Sequence, residues 1–146
     1  MNSKRILLII AVSLLYSCGG KQNSPVECVS TFIKASMEHD ITKAWSTLSP
    51  EAQAFYNSLG EKNRKSGRGI LEHDISEVLK FRNEKDFKIA ADSINPNLVS
   101  LTTVSGIEYI IETTPIDGEY KLKDEISVRN VIKCIAVNIM SKDYYQ

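Results

Sequence analysis

The hydrophobic period of this chain changes twice, and those two changes constrain its fold more than any single residue does. From Val29 to Leu79 apolar residues recur every three or four positions. After Asn83 they alternate, and from Val128 to Ile139 the longer interval returns. An interval near 3.6 places apolar side chains on one face of a helix, and an interval of 2 places them on one face of a strand. Helices, then strands, then a helix is an α+β order: N-terminal helices packed on a curved, cone-like antiparallel sheet, plus a C-terminal helix.

Local signals divide the first block. Ser24-Pro25-Val26-Glu27 combines a capping Ser, a Pro suited to the first turn and a Glu that completes a capping box. The stripe behind it is Val29, Phe32, Ile33 and Ser36, with Cys28 alongside. Asp40 caps a second helix, Ile41 to Leu48, with Ile41, Ala44, Trp45 and Leu48 inward. Ser49-Pro50-Glu51 starts a third, with Ala52, Phe55, Tyr56 and Leu59 inward and Gly60 as its end. Glu61 to Gly69 reads as an exposed basic loop, and Ile70 to Arg82 as a helix burying Leu71, Ile75, Val78 and Leu79.

The strands are Phe87–Ala91, Leu98–Val104, Ile107–Thr113 and Glu119–Lys123, with turns at Asn95–Asn97, Ser105–Gly106 and Pro115–Gly118. Short turns between strands of similar length make an antiparallel meander. Ile107, Tyr109 and Ile111 share one face, with Glu108 and Glu112 on the other. The last stripe, Val128, Val131, Ile132, Ile135 and Ile139, needs a partner surface, and Val29, Phe32 and Ile33 on the first helix offer a matching one.

The N-terminus gives an address. Lys4 and Arg5 precede eleven residues, Ile6 to Tyr16, that are apolar apart from Ser13. That run is too short to span a bilayer, which takes ~20 residues, and has the parts of a secretory signal. Leu15-Tyr16-Ser17-Cys18, followed by two glycines, resembles the lipobox of bacterial lipoproteins. The resemblance implies cleavage of residues 1–17, acylation of Cys18, and a tether through residue 23 ahead of a domain at 24–146. It implies a partner too, the lipid bilayer, reached through the acyl chains. No Asp follows Cys18, which resembles outer-membrane sorting, with the domain facing the periplasm. The polar tether Gly19 to Asn23 would reach at most ~17 Å.

Composition narrows the function classes. The chain is 42% hydrophobic and 25% charged, with 18 basic and 18 acidic residues, which excludes a disordered chain and argues against nucleic acid as a partner. Cleavage would remove Lys4 and Arg5 and no acid, so the mature body is slightly acidic and has no electrostatic pull toward anionic lipid.

A second resemblance covers residues 24–126. Ser24 to Ala35, then His39-Asp40 and Ala44-Trp45, resembles the opening of the nuclear transport factor 2-like (cystatin-like) superfamily, and in particular its small lipoprotein branch of unknown function. Asp117-Gly118-Glu119-Tyr120-Lys121-Leu122 resembles that branch's final hairpin, with Tyr120 in place of the usual Trp. The segment after Ile126 goes beyond the pattern. The resemblance implies a cone-shaped sheet closed by helices around a pocket, in a superfamily that hosts enzymes, binders and scaffolds.

Residues able to carry chemistry are few. His39 and His73 each precede an Asp, Asp40 and Asp74, but neighbours in sequence do not face one another on a helix. No His-x-x-x-His, Glu-x-x-His or Cys-x-x-Cys spacing offers a metal site, and Gly67-Arg68-Gly69 lacks the Lys-Ser/Thr ending of a phosphate loop. An isomerase-like site would need an Asp and a Tyr inside the cone, for which Asp92, Tyr56 and Tyr109 are available. The basic residues Lys62, Arg64, Lys65 and Arg68 are either a phosphate-facing patch or a solvated loop.

Cys28 and Cys134 remain once Cys18 is acylated. In an exported protein they form a disulfide or pack as two small hydrophobes, and both readings stand. No catalytic residue and no cofactor is assigned. The expectation is a lipid-anchored, non-enzymatic module for a small apolar ligand or an envelope protein. The alternatives are an isomerase or hydratase using an Asp or Tyr in the cone, and a structural homodimer joined through the open sheet face.

Overall fold

The computed structural model describes residues 21–79 and 87–143, with side chains as far as residue 137. Residues 1–17, Cys18, the end of the fourth helix to Arg82 and the Ile139 side chain lie outside that description. The α+β order is as read: helices α1 (Pro25–Met37), α2 (Ile41–Ser46), α3 (Pro50–Lys62) and α4 (Gly67–Leu79) precede strands β1 (Lys88–Ala91), β2 (Leu98–Thr102), β3 (Glu108–Ile116) and β4 (Glu119–Leu122), and α5 (Glu125–Asp143) ends the chain.

The cap residues do what their chemistry suits. Ser24 accepts the Glu27 amide at 3.1 Å, Asp40 accepts that of Lys43 at 2.9 Å, and Ser49 that of Ala52 at 3.1 Å. Glu27 reaches back one residue further than a capping box would, accepting the Asn23 amide at 2.7 Å. Two helices end in left-handed turns without glycine. His39 has φ 57° after α1, with its amide on Ser36 O at 3.2 Å and that of Asp40 on Ala35 O at 2.8 Å. Arg64 has φ 54° after α3, with its amide on Glu61 O at 3.3 Å and that of Lys65 on Gly60 O at 2.9 Å. Both are Schellman turns, which satisfy the last helical carbonyls.

The second turn corrects the reading of Gly60 and of the basic loop. Helix α3 runs past Gly60 to Lys62, and α4 begins at a buried Gly67. The exposed connection is therefore only residues 63–66. Arg68 lies on α4, its guanidinium 5.9 Å from the centre of the Trp45 ring.

The sheet is an antiparallel meander in the order β1-β2-β3-β4. Leu101 opposes Ile89 and Tyr109, Val99 opposes Ala91 and Ile111, and Thr113 opposes Leu122. These residues share the concave face, as period 2 requires. Pro115 and Ile116 are strand, not turn. The turn is Asp117-Gly118, both with positive φ (51° and 78°), the primed geometry that two-residue hairpins favour. Pro115 is tolerated because β3 outruns β2. The Thr113 amide is the last to meet β2's side, on Asn97 O at 2.8 Å, and the next amide on that side would be Pro115's.

Helix α1 lies across the concave face and touches all four strands. Val29, Phe32, Val99, Leu101, Ile111 and Leu122 are buried there together. The C-terminal helix does not take α1 as its main partner, as its stripe suggested. It packs chiefly along β3, with smaller contacts to α3, α4 and α1. The reason lies at an unpaired edge, because β4 pairs only with residues 113–116 of β3. Further back along β3, α5 covers the open backbone: Ser127 Oγ accepts the Glu112 amide at 3.1 Å, and Asn130 Nδ2 donates to Ile110 O at 3.1 Å. The outer edge of β4 is closed by the α2–α3 connection, where Leu122 N–H donates to Thr47 O at 2.8 Å and Ser49 N–H to Leu122 O at 2.9 Å.

Candidate functional site

Asp40 ends one helix and starts the next, so α2 leaves α1 at a fixed angle with its polar side turned toward β4. Between them lies an open cleft of about 400 Å³, walled by Asp40, Thr42, Lys43 and Ser46 of α2, by Glu119 and Lys121 of β4, and by Gln22. None of these side chains is apolar. Alternation along β4 puts Glu119 and Lys121 on the side opposite the core residue Leu122.

Lys121 is the hub of the cleft. Its ammonium donates to Glu119 Oε2 at 2.7 Å, Ser46 O at 2.8 Å and Gln22 Oε1 at 3.5 Å. An ammonium has three N–H groups, so this one is fully occupied and serves as a clamp rather than a free cation. The hydrogen bond from Lys121, and then its charge, hold the Glu119 carboxyl below the usual glutamate range. One Asp40 oxygen is engaged with the α2 backbone, and the Thr42 hydroxyl and the Lys43 ammonium face solvent beside it. The arrangement can hydrogen-bond a polar partner. No apolar side chain lines the cleft, but carbon atoms of the polar side chains and backbone make up most of its exposed wall.

The Asp and Tyr residues considered for catalysis do not converge. Asp92 sits in the exposed β1–β2 turn and accepts the Asn95 amide at 2.6 Å and the Ile94 amide at 2.8 Å, two bonds that hold its carboxyl low. It is an Asx turn, not a cone residue. Tyr109 lies half-buried against the core. Tyr56 is buried between α3 and its neighbours, its ring edge-on to Phe55 and Trp45. Its hydroxyl has no hydrogen-bond partner among the described residues, and burial pushes it up, with the Asp74 charge adding to the effect. Asp74 is itself raised by burial against the opposing pull of Arg129. Sequence spacing gave no sign of this Tyr56–Asp74 proximity, because α3 and α4 bring the two together only after folding.

His39 is an exposed helix-terminating residue, and its neighbour Asp40 is turned to Lys43 instead. Among the described residues no group of three or more His, Cys, Asp or Glu could hold a metal ion, and no helix is long and apolar enough to cross a membrane. The convex sheet face carries Ser100, Thr102, Glu108, Glu112 and Thr114 around a half-exposed Ile110. Ser100 donates to Glu108 there.

Cys28 and Cys134 are free and buried. The Cys28 thiol faces Thr47 O at 3.8 Å, and the Cys134 thiol faces Leu101 O at 4.0 Å. The structure holds both as free thiols, each set against a backbone carbonyl of a different element, so the bond considered from sequence is absent from it. Burial pushes both thiols up to about 12 from their ordinary 9.0. Buried and held as neutral thiols, both should be left untouched by an alkylating reagent at pH 8 in the native Cys18→Ala chain. After denaturation without reductant, mass spectrometry should find both alkylated, and an unmodified pair would restore the disulfide. The raised values also make stability fall once pH climbs past 9, where thiols of the unfolded chain ionise and buried ones do not.

Comparison with protein-family models, curated proteins and solved structures found no match to this chain.

Proposed function

We propose that this chain is a bacterial lipoprotein, acylated at Cys18, whose nuclear transport factor 2-like domain is a non-enzymatic recognition module on the periplasmic face of the outer membrane. Its partner is a polar ligand or protein segment bound between α2 and β4. The observation that carries the reading is the cleft lined by polar side chains, with Lys121 and its three acceptors at its centre. The concave face of the sheet, where superfamily enzymes would keep a pocket, is occupied here by α1 and by buried Val99, Leu101 and Ile111. Asp92 on an exposed turn, its carboxylate taken up by the Ile94 and Asn95 amides, speaks against the isomerase alternative.

Two experiments test this reading. Cys18→Ala should abolish acylation and leave the precursor uncleaved, and an inhibitor of the lipoprotein signal peptidase should do the same to the unaltered chain. A mutant that matures normally would remove the lipoprotein reading. Amide shifts on titration with a panel of polar fragments should concentrate at Thr42, Lys43, Ser46 and Glu119. Shifts confined to other surfaces would remove the cleft as the site.

A further inference from the structure

Gln22 stands four residues after Cys18, and it is not part of a free leash. Its carbonyl accepts the Tyr120 amide at 2.9 Å, its side-chain oxygen accepts from Lys121 at 3.5 Å, and it is only 5% exposed. Asn23 is held as well, by the Glu27 carboxylate at 2.7 Å. The chain is thus fixed to the domain from Gln22 onward. The reach expected for a five-residue tether shrinks to four steps, at most ~14 Å from Cys18 to Gln22.

We infer that this pinning orients the domain on the bilayer: the edge formed by β4 and α2 is held at the lipid head groups, with the polar cleft facing them and the β2–β3 turn pointing away. The inference rests on the acylation of Cys18 proposed above. Three observations support the geometry. First, Gln22 is itself a wall of the cleft, so whatever fixes Gln22 near the surface fixes the cleft there. Second, the exposed residues of this edge include Lys21, Asn23, Asp40, Thr42, Lys43 and Ser46, all polar, whereas the exposed large apolar residues Ile94, Val104, Ile107, Ile110 and Ile126 lie on other elements. The edge therefore suits the head-group layer and not the acyl region. Third, the β2–β3 turn is at the opposite end of β3. Pro115, which opposes Tyr120, is seven residues from Glu108, or up to ~23 Å along the strand. The cleft's own charges cancel, Lys43 and Lys121 against Asp40 and Glu119, so the short tether sets the orientation and electrostatic attraction does not.

The test uses the acylated full-length mature chain in phosphatidylethanolamine–phosphatidylcholine vesicles. A bimane fluorophore is placed at Thr42→Cys or at Val104→Cys, the native thiols at Cys28 and Cys134 being buried. Quenching by a head-group-labelled lipid should be several-fold stronger at position 42 than at 104. The difference should persist in high salt, which screens exposed charges. A long Gly-Ser insertion between Gly20 and Lys21 should erase it, since the domain then tumbles away from the surface. Equal quenching at the two positions, with the acyl mass confirmed, would overturn the orientation and leave the lipoprotein reading intact. Loss of the difference in high salt would overturn the tether as its cause. A chain with no acyl mass would overturn the lipoprotein reading, and the orientation with it.

Discussion

Replacing Trp45 by alanine is expected to cost ~3–5 kcal/mol of folding stability, the range for truncating a buried large aromatic side chain. Trp45 is 8% exposed and stands where α2, α3 and α4 meet. Its ring meets Tyr56 edge-on at 6.4 Å, and the Arg68 guanidinium lies over its face. The start of α4 presses so close that a methyl group on Gly67 would lie 2.9 Å from the indole. Few of these neighbours can move into the space an alanine would leave, because the Gly67 backbone and the Tyr56 ring are themselves buried. A domain of this size has a total stability of ~5–15 kcal/mol, so the loss is a large fraction of the whole. Urea unfolding, with the midpoint lowered and the slope unchanged, is the measurement. A loss below ~1 kcal/mol would mean that α2 does not pack as described.

Gly60→Ala is expected to cost about 3 kcal/mol, the upper part of the usual range for overpacking. The chain folds back over this residue in the Schellman turn that ends α3. A Cβ at position 60 would lie 2.5 Å from Lys65 O, 2.9 Å from the Ser66 carbonyl carbon and 3.0 Å from the Gly67 amide nitrogen. All three are backbone atoms, so the whole turn and the start of α4 must shift, and Trp45 loses its wall. Gly69→Ala is the matched control. Its Cβ meets only the Ser66 hydroxyl, at 3.2 Å, and alanine favours the helix by ~1 kcal/mol over glycine. Equal behaviour of the two variants in urea would remove the close approach as the reason for Gly60.

Gly60 also shows where local reading failed. A glycine after a periodic run is the common sign of a helix end, and from sequence it stood as one. In the fold the left-handed residue is Arg64, and Gly60 is needed for the absence of a side chain, not for its φ. The two uses of glycine cannot be told apart in sequence, because only the second depends on what the chain meets after it turns. Pro115 failed for a related reason. Proline is a turn signal unless its missing amide happens to point past the end of a neighbouring strand, and strand lengths are set by pairing.

The candidate cleft was legible only in part. Asp40 as a cap and Glu119-Tyr120-Lys121 as a strand could be read from residue type and spacing. That Lys121 would gather Ser46 O, Glu119 and Gln22 could not, since its partners lie 75, 2 and 99 residues away. The same holds for Gln22, which read as a tether because nothing near it in sequence can hold it.

The sequence by itself determined the things that depend on neighbours a few residues apart. These are the three helix starts at Ser24, Asp40 and Ser49, the switch of period after Asn83, the meander that short turns impose, and the α+β class that follows from the order. Each rests on local hydrogen bonds or on which side of a helix or strand a residue falls. Tertiary structure alone decided where those faces go. It sent α5 chiefly to the uncovered edge of β3, set Cys28 and Cys134 against carbonyls of different elements, placed Tyr56 near Asp74, and closed Lys121 over Gln22. Those outcomes turn on competition among surfaces of similar hydrophobicity, and burial is non-directional. Geometry and unpaired backbone groups, present only once the sheet exists, chose among them.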